Sequence, residues 1–296
     1  MQSPSRRHDR QSFVKYVSAD TARLILESCS MRWSSPILFN DPFDVPRELS
    51  FGVTPEQLSL AMVERLRSLI EHPPVDTTNL IPQVRLIVEA VKRGITAELK
   101  HELLAGLRLR DGDIPSSASM DEFRQKWRNE VLPDFRILCL TESPSHAAMW
   151  YHYADAYAGA VLQFRCIDEL DSAWLAARKI DYLTEKPLVY TAAGWAELMT
   201  EDHSLSRIID IAAHTKSPDW SYEQEWRITT FRRPLDTGHF TDYTFKPAEL
   251  SAVYFGPRMK PAIRASLLDV IRSYPHARPL DTRIGMSREL LFSEAS

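Results

Sequence analysis

Apolar residues recur along this chain at two spacings, and the spacing changes from segment to segment. Phe13-Val14-Lys15-Tyr16-Val17 is a short run of β-formers. Ser18 then offers an N-cap, and Asp20 sits in the first turn of a helix that runs through Ser28, with Leu24, Ile25 and Leu26 on its apolar side. Met31-Arg32-Trp33 reads as a second short strand. After it, Phe39-Asn40-Asp41-Pro42-Phe43-Asp44 carries the Asx and proline signals of a turn.

From Thr54 the period becomes helical. Thr54-Pro55-Glu56-Gln57 has an N-cap, an N1 proline and a capping-box Gln in order. Leu58, Ala61, Met62, Leu66, Leu69 and Ile70 follow at helical spacing. A second helical stretch covers about 80–109, broken or bent near Gly94. Ser119 and Glu122 form another capping box, ahead of the stripe Phe123, Trp127 and Val131. Residues 54–131 therefore read as a helical insertion.

Strand signals return after Pro133. They fall at 135–140, 159–164, 226–231, 242–245, 252–255 and 278–283. Helical signals fall at 145–157, 193–214 and 261–273. The pattern predicts an α+β fold with strands at the start and in the C-terminal half. Residues 1–11 are expected to be disordered, and 12–296 to form a single domain around the insertion.

Composition narrows the chemistry. The chain has 296 residues and nine glycines. No glycines stand at the spacings of a dinucleotide fingerprint or a Walker A loop, so a glycine-rich phosphate cradle is excluded. The net charge is −4, which gives no global case for nucleic acid or membrane binding. Residues 227–296 nevertheless carry eleven Lys/Arg against seven Asp/Glu. Cys29, Cys139 and Cys166 have no metal or redox spacing, which fits a reducing compartment. No run approaches the ~18 apolar residues of a membrane span. The expectation is a cytoplasmic protein without a membrane partner and without a bound metal.

Two segments stand out for chemistry. Trp220-Ser221-Tyr222-Glu223-Gln224-Glu225-Trp226-Arg227-Ile228, read as one strand, puts Glu223, Glu225 and Arg227 on one face. Paired carboxylates can divide acid and base roles, because burial and like charge push their pKa values apart. The same pattern also suits a solvated, salt-bridged outer face. On a helix, Met149, His152 and Tyr153 share a face beside Trp150, which suits ring stacking with an imidazole at hand, or simply core packing. Asn40-Asp41-Pro42-Phe43-Asp44 is either a polar site wall or a tight turn.

In this order the segments Lys15-Tyr16, Phe39–Asp44, Met149–Ala154 with Gly159, and Trp220–Arg227 resemble the bacterial domain-of-unknown-function family number twenty-nine seventy-one. Asp44 stands where that family's pattern usually has Glu. The opening strand, the helix with Ile25-Leu26 and the late strand bearing Glu-x-Glu are also similar to the plan of ADP-ribosyltransferases. Those enzymes grip NAD in a split, mostly antiparallel sheet without a glycine loop. This second resemblance implies an NAD-consuming transferase, a toxin or phage-defence effector, that uses NAD as substrate and a protein or nucleic acid as acceptor, with an immunity or antitoxin partner. It implies Glu225 as the stabiliser of an oxocarbenium-like transition state, with Glu223 and Tyr153 beside it. Lys15 and Tyr16 fall at the first motif, where Lys15 replaces the usual His or Arg. The resemblance further implies Asn40, Asp41, Trp150, His152 and Arg227 as NAD contacts. Two other readings stay open: a metal-dependent nuclease or hydrolase using Asp41, Asp44, Glu223 and Glu225, and a non-catalytic binding module.

Overall fold

The computed structural model describes residues 2–47, 52–107, 117–185, 191–202, 204–287 and 289–295. The chain divides into two compact units, one of residues 1–44, 133–182 and 216–296, the other of 45–132 and 183–215. In chain order the first unit opens with β1 (Ser12–Val17), α1 (Ala19–Ser28) and β2 (Ser30–Ser34). The second unit holds α2 (Pro55–Glu71), α3 (Pro82–Lys92), α4 (Ala97–Gly106) and α5 (Ser117–Lys126). A single turn, α6 (Leu132–Asp134), leads into β3 (Phe135–Thr141), α7 (Ala147–Tyr153), β4 (Ala160–Arg165) and the two-residue strands β5 (Arg178–Lys179) and β6 (Asp181–Tyr182). Helices α8 (Ala192–Thr200) and α9 (Ser204–His214) return to the second unit. The chain finishes with β7 (Thr215–Lys216), β8 (Glu225–Phe231), β9 (Phe240–Thr244), β10 (Leu250–Phe255), α10 (Pro261–Ile271), β11 (Arg278–Ile284) and β12 (Leu290–Glu294).

The large sheet runs β12-β11-β10-β4-β1-β3-β2-β9, with β8 on β3 and β5 on β8. Its pairings are antiparallel except β10 with β11, which α10 joins as a crossover. β8 covers β3 along its whole length, from Phe135–Phe231 to Thr141–Glu225. β1 meets β3 at Val14–Thr141, and β2 meets it at Ser34–Ile137. The mixed fold with a mostly antiparallel sheet agrees with the strand signals.

Alternation along the strands divides the core. Phe13, Leu162, Phe164, Val253 and Phe255 pack with Ile25 and Leu26 of α1 and Leu267 and Ile271 of α10. Val14, Tyr16, Val161, Ala252 and Tyr254 point to the other side, where Met149 and Trp150 of α7 cover them. Strands β1, β4 and β10 thus bury both faces, as period-2 alternation requires when helices lie on both sides.

In the second unit, α2 starts at the expected capping box: Gln57 N donates to Thr54 Oγ1 and Thr54 N to Gln57 Oε1. The helical stretch breaks at Gly94, whose φ of 91° ends α3 before α4 begins. The Ser119 side chain, and residues 108–109 at the end of that stretch, lie outside what is described.

Near the start of the chain Arg6 forks onto Asp168, and His8 Nε2 lies 2.9 Å from Trp174 O. Residues 183–215 cluster with the helical block. One helix ends earlier than its sequence signal. The helix expected over 145–157 stops at Tyr153, because Asp155, Ala156 and Tyr157 are all left-handed, with φ of 50°, 46° and 72°.

Candidate active site

Lys216 is the hub of a buried charge cluster. Its ammonium lies 2.6 Å from Glu223 Oε2, 3.0 Å from Glu225 Oε2 and 3.3 Å from Asp44 Oδ2. Arg227 lies against the same carboxylates. Its Nε donates to Glu225 Oε1 at 2.7 Å, and its Nη2 donates to Glu225 Oε2 at 3.1 Å and to Asp44 Oδ2 at 2.6 Å. Three carboxylates face two cations, which leaves one net negative charge. All five side chains are almost sealed from water, and Arg227 has no exposed surface at all.

Local structure explains the convergence. Pairing across three neighbouring strands sets Glu225 beside Thr141 and Thr141 beside Val14. The expected strand over 220–228 is a 3₁₀ turn over Pro218–Glu223, then Gln224 in the left-handed region at φ 46°, then β8 from Glu225. Two residues of one straight strand would share a face. Here the left-handed residue supplies the offset instead, so Glu223 and Glu225 still reach one ammonium. Thr141 Oγ1 donates to the Glu223 carbonyl at 2.5 Å and fixes that turn against β3. Glu225 N donates to the Tyr182 hydroxyl at 2.9 Å. The solvated, salt-bridged face is not found, because these three side chains are buried.

A cavity of about 230 Å³ opens onto the cluster. Its walls include Lys15, Phe39, Asn40, Asp41, Asp44 and Cys139. Tyr153, Lys216, Trp220, Glu223 and Glu225 also line it. The Tyr153 hydroxyl donates to Glu223 Oε1 at 2.5 Å, and the Lys216 ammonium lies 5.0 Å from the centre of the Trp220 ring. Lys15 Nζ donates to the Cys139 carbonyl at 2.8 Å.

Environment separates the two glutamates. Burial opposes a charge on Glu225, but Arg227 and Lys216 outweigh it and hold that carboxyl well below the ordinary range. Burial pushes Glu223 up, and the Glu225 charge adds to the rise against the pull of Lys216. Burial alone would lower Lys216, but Glu225, Asp44 and Glu223 reverse this and keep it a firm cation. Burial and the bond to Glu223 raise the Tyr153 phenol. Burial also raises the Cys139 thiol, which leaves it a poor nucleophile.

Of the residues singled out in the sequence, Lys15, Tyr16, Asn40, Asp41, Tyr153, Glu223 and Glu225 line the cavity. Arg227 lies behind its wall as the brace of Glu225. Two expected contacts are not brought there. Trp150 is fully buried, edge-on to Tyr16 at 5.5 Å, and its indole N–H donates to the Pro144 carbonyl. His152 is exposed, with its ring among Tyr151, Tyr153 and Tyr222. On α7 it is Met149 and Tyr153, one turn apart, that face the cavity.

Sequence reasoning missed Lys216 and Trp220. The one available signal was chemical: three acids drawn together need a buried cation beyond Arg227, and Lys216 stands seven residues ahead of Glu223.

The family model described as a protein of unknown function (DUF2971) matches residues 149–228. That span takes in Tyr153, Lys216, Glu223, Glu225 and Arg227, and stops short of the Lys15-Tyr16 and Phe39–Asp44 segments. No curated protein and no solved structure matches the chain.

A metal site is poorly served here. Lys216 occupies the point on which Asp44, Glu223 and Glu225 converge, and among the described residues no group of three His, Cys, Asp or Glu is set to hold a metal ion.

Proposed function

We propose that this cavity cleaves the nicotinamide–ribose bond of NAD and passes ADP-ribose to a protein or nucleic-acid acceptor, or to water. The observation that carries the reading is the pair Glu223 and Glu225 in one cavity, with pKa values pushed in opposite directions. Two carboxylates so divided suit glycosidic chemistry, in which one stays charged and the other handles a proton. The C1′–N bond breaks and its electron pair leaves with neutral nicotinamide. Glu225, held ionised by Arg227 and Lys216, stabilises the positive sugar. The acceptor's lone pair attacks C1′, and its proton passes to Glu223.

The cavity supports this choice in two further ways. Phe39, Tyr153 and Trp220 line it with aromatic rings, which suits a flat heterocycle. Its volume falls below the roughly 300–1,000 Å³ of whole-ligand pockets, so it suits the nicotinamide–ribose end with the adenosine half outside. Strands β1 and β8, which bear Lys15 and Glu225, both pair with β3 and so stand close to one another. A toxin or phage-defence role, with an immunity partner, would follow from uncontrolled NAD loss.

The test is incubation with NAD labelled in its ADP-ribose part, together with a cell extract. The reading expects free nicotinamide and label on protein, nucleic acid or free ADP-ribose. Intact NAD throughout, with a folded protein, would contradict it.

A further inference from the structure

Gln224 stands between the two glutamates, in the left-handed region at φ 46°. A residue with a Cβ keeps that conformation only where its surroundings fix it. Here three consecutive residues are anchored from three directions. The Glu223 carbonyl accepts from Thr141 Oγ1 of β3, and Glu225 N donates to the Tyr182 hydroxyl. The Gln224 side chain is held by His146, whose Nε2 lies 2.9 Å from Gln224 Oε1. An amide oxygen only accepts, so Nε2 carries the proton in this bond, and protonating the ring leaves the donor in place.

His146 stands at the start of the helix that carries Tyr153. Its carbonyl accepts from Trp150 N at 3.1 Å, and its N–H donates to the Tyr16 hydroxyl at 3.2 Å. Its ring makes no capping bond to α7. Helix α7 therefore grips the turn from both ends: His146, its N-cap, holds Gln224, and Tyr153, its last residue, donates to Glu223. Neither His146 nor Gln224 is among the residues that line the cavity. Any effect on the chemistry passes through the glutamates on either side of Gln224.

We propose that His146 is a positioning residue: its bond to Gln224 fixes the turn that brings Glu223 and Glu225 to one ammonium. Its effect on turnover rests on the NAD-cleavage reading; its effect on the geometry of the glutamates does not. Without the bond, Gln224 is free to leave the left-handed region, and Glu223 moves off Lys216 and Tyr153 toward water. A shift of about 1 Å at a reacting group can cost on the order of 10²-fold in rate.

The test compares the wild-type chain with His146→Ala, His146→Gln, Gln224→Ala and the double variant His146→Ala/Gln224→Ala. In His146→Gln an amide N–H can take the place of the ring donor and restore the bond. The first readout is a carboxyl NMR titration of glutamate-labelled protein, assigned with Glu223→Gln and Glu225→Gln. The Glu223 midpoint, raised by burial in the wild type, should fall toward 4.5 in His146→Ala and Gln224→Ala and return in His146→Gln. The second is nicotinamide release from NAD. Its kcat should drop about 10–100-fold in the two alanine variants, with KM little changed, and recover in His146→Gln. The double variant should be no worse than either single one, because both remove the same bond. An unchanged midpoint in His146→Ala overturns the proposal. So does wild-type release that His146→Ala leaves intact, a loss that His146→Gln does not rescue, or additive losses in the double variant. If His146→Ala does not fold, Gln224→Ala makes the same comparison. Midpoints that move as described, without release by the wild type, sink the cleavage reading and leave this one standing; release with midpoints that stay fixed does the reverse.

Discussion

Arg227 and Lys216 act on overlapping acids, but their geometry differs. The guanidinium forks onto Glu225 with Nε and Nη2 and reaches Asp44 with Nη2, which a lysine cannot reproduce. Removing it leaves Glu225 and Asp44 buried with only Lys216. Arg227→Met should therefore cost about 3–5 kcal/mol of stability by denaturant unfolding, the usual penalty for breaking a buried pair. The glutamates give the pH behaviour. Glu225 is depressed, so its contribution to stability is present above the ordinary value of 4.5 and is lost as pH falls below it. Glu223 is raised, so its contribution is present below 4.5 and is lost as pH climbs through its higher folded value. A base must be unprotonated, so nicotinamide release should rise with pH through a midpoint above 4.5. That limb should disappear in Glu223→Gln; a midpoint at or below 4.5 would remove Glu223 from the proton step.

At the scale of elements, the turn after α7 holds the site together. Its three left-handed residues end at Tyr157, two before Gly159, whose N–H donates to Ala154 O at 2.8 Å, and Gly256 N donates to Gly159 O at 2.9 Å. A Cβ on Gly256 would meet Tyr157 O at 2.2 Å, and one on Gly159 would meet Val17 O at 2.3 Å. Backbone oxygens cannot swing aside as side chains do. Gly256→Ala should thus lower stability by about 1–3 kcal/mol in thermal melts, as overpacking does, and should loosen the Tyr153–Glu223 bond with it. A variant as stable as the parent would show that the turn can shift freely. This turn also marks where the sequence stops being legible. Thr54, Ser18 and the apolar stripes announce α2 and α1 because caps and periods are local. Glu223 and Glu225 were visible as a pair for the same reason. Gln224's left-handed backbone was not, since nothing in Tyr-Glu-Gln-Glu-Trp demands it. Lys216 was hidden as well: its role depends on acids from β8, the preceding turn and the Phe39–Asp44 segment, and no spacing relates the three.

Across the whole molecule, the proposed chemistry belongs to one unit. Every side chain named in the site lies in residues 1–44, 133–182 or 216–296. The sheet supplies β1, β3 and β8 as a floor, and the turns at 39–44 and 218–224, with Lys216 of β7 and Tyr153 of α7, bring the remaining groups to it. The shortage of glycine has a counterpart here, because the cavity is walled by aromatic and charged side chains rather than by a phosphate-binding loop. Among the described residues no helix is long and apolar enough to cross a membrane. The most direct measurement is the rate of nicotinamide release from NAD by the wild-type chain and by Glu225→Gln, with matched melting curves to show that both are folded. Release by the wild type is expected, with a loss of about 10²–10³-fold in the variant, the scale for removing a group that stabilises transition-state charge. Equal rates in the two proteins, or no release by the folded wild type, would contradict it.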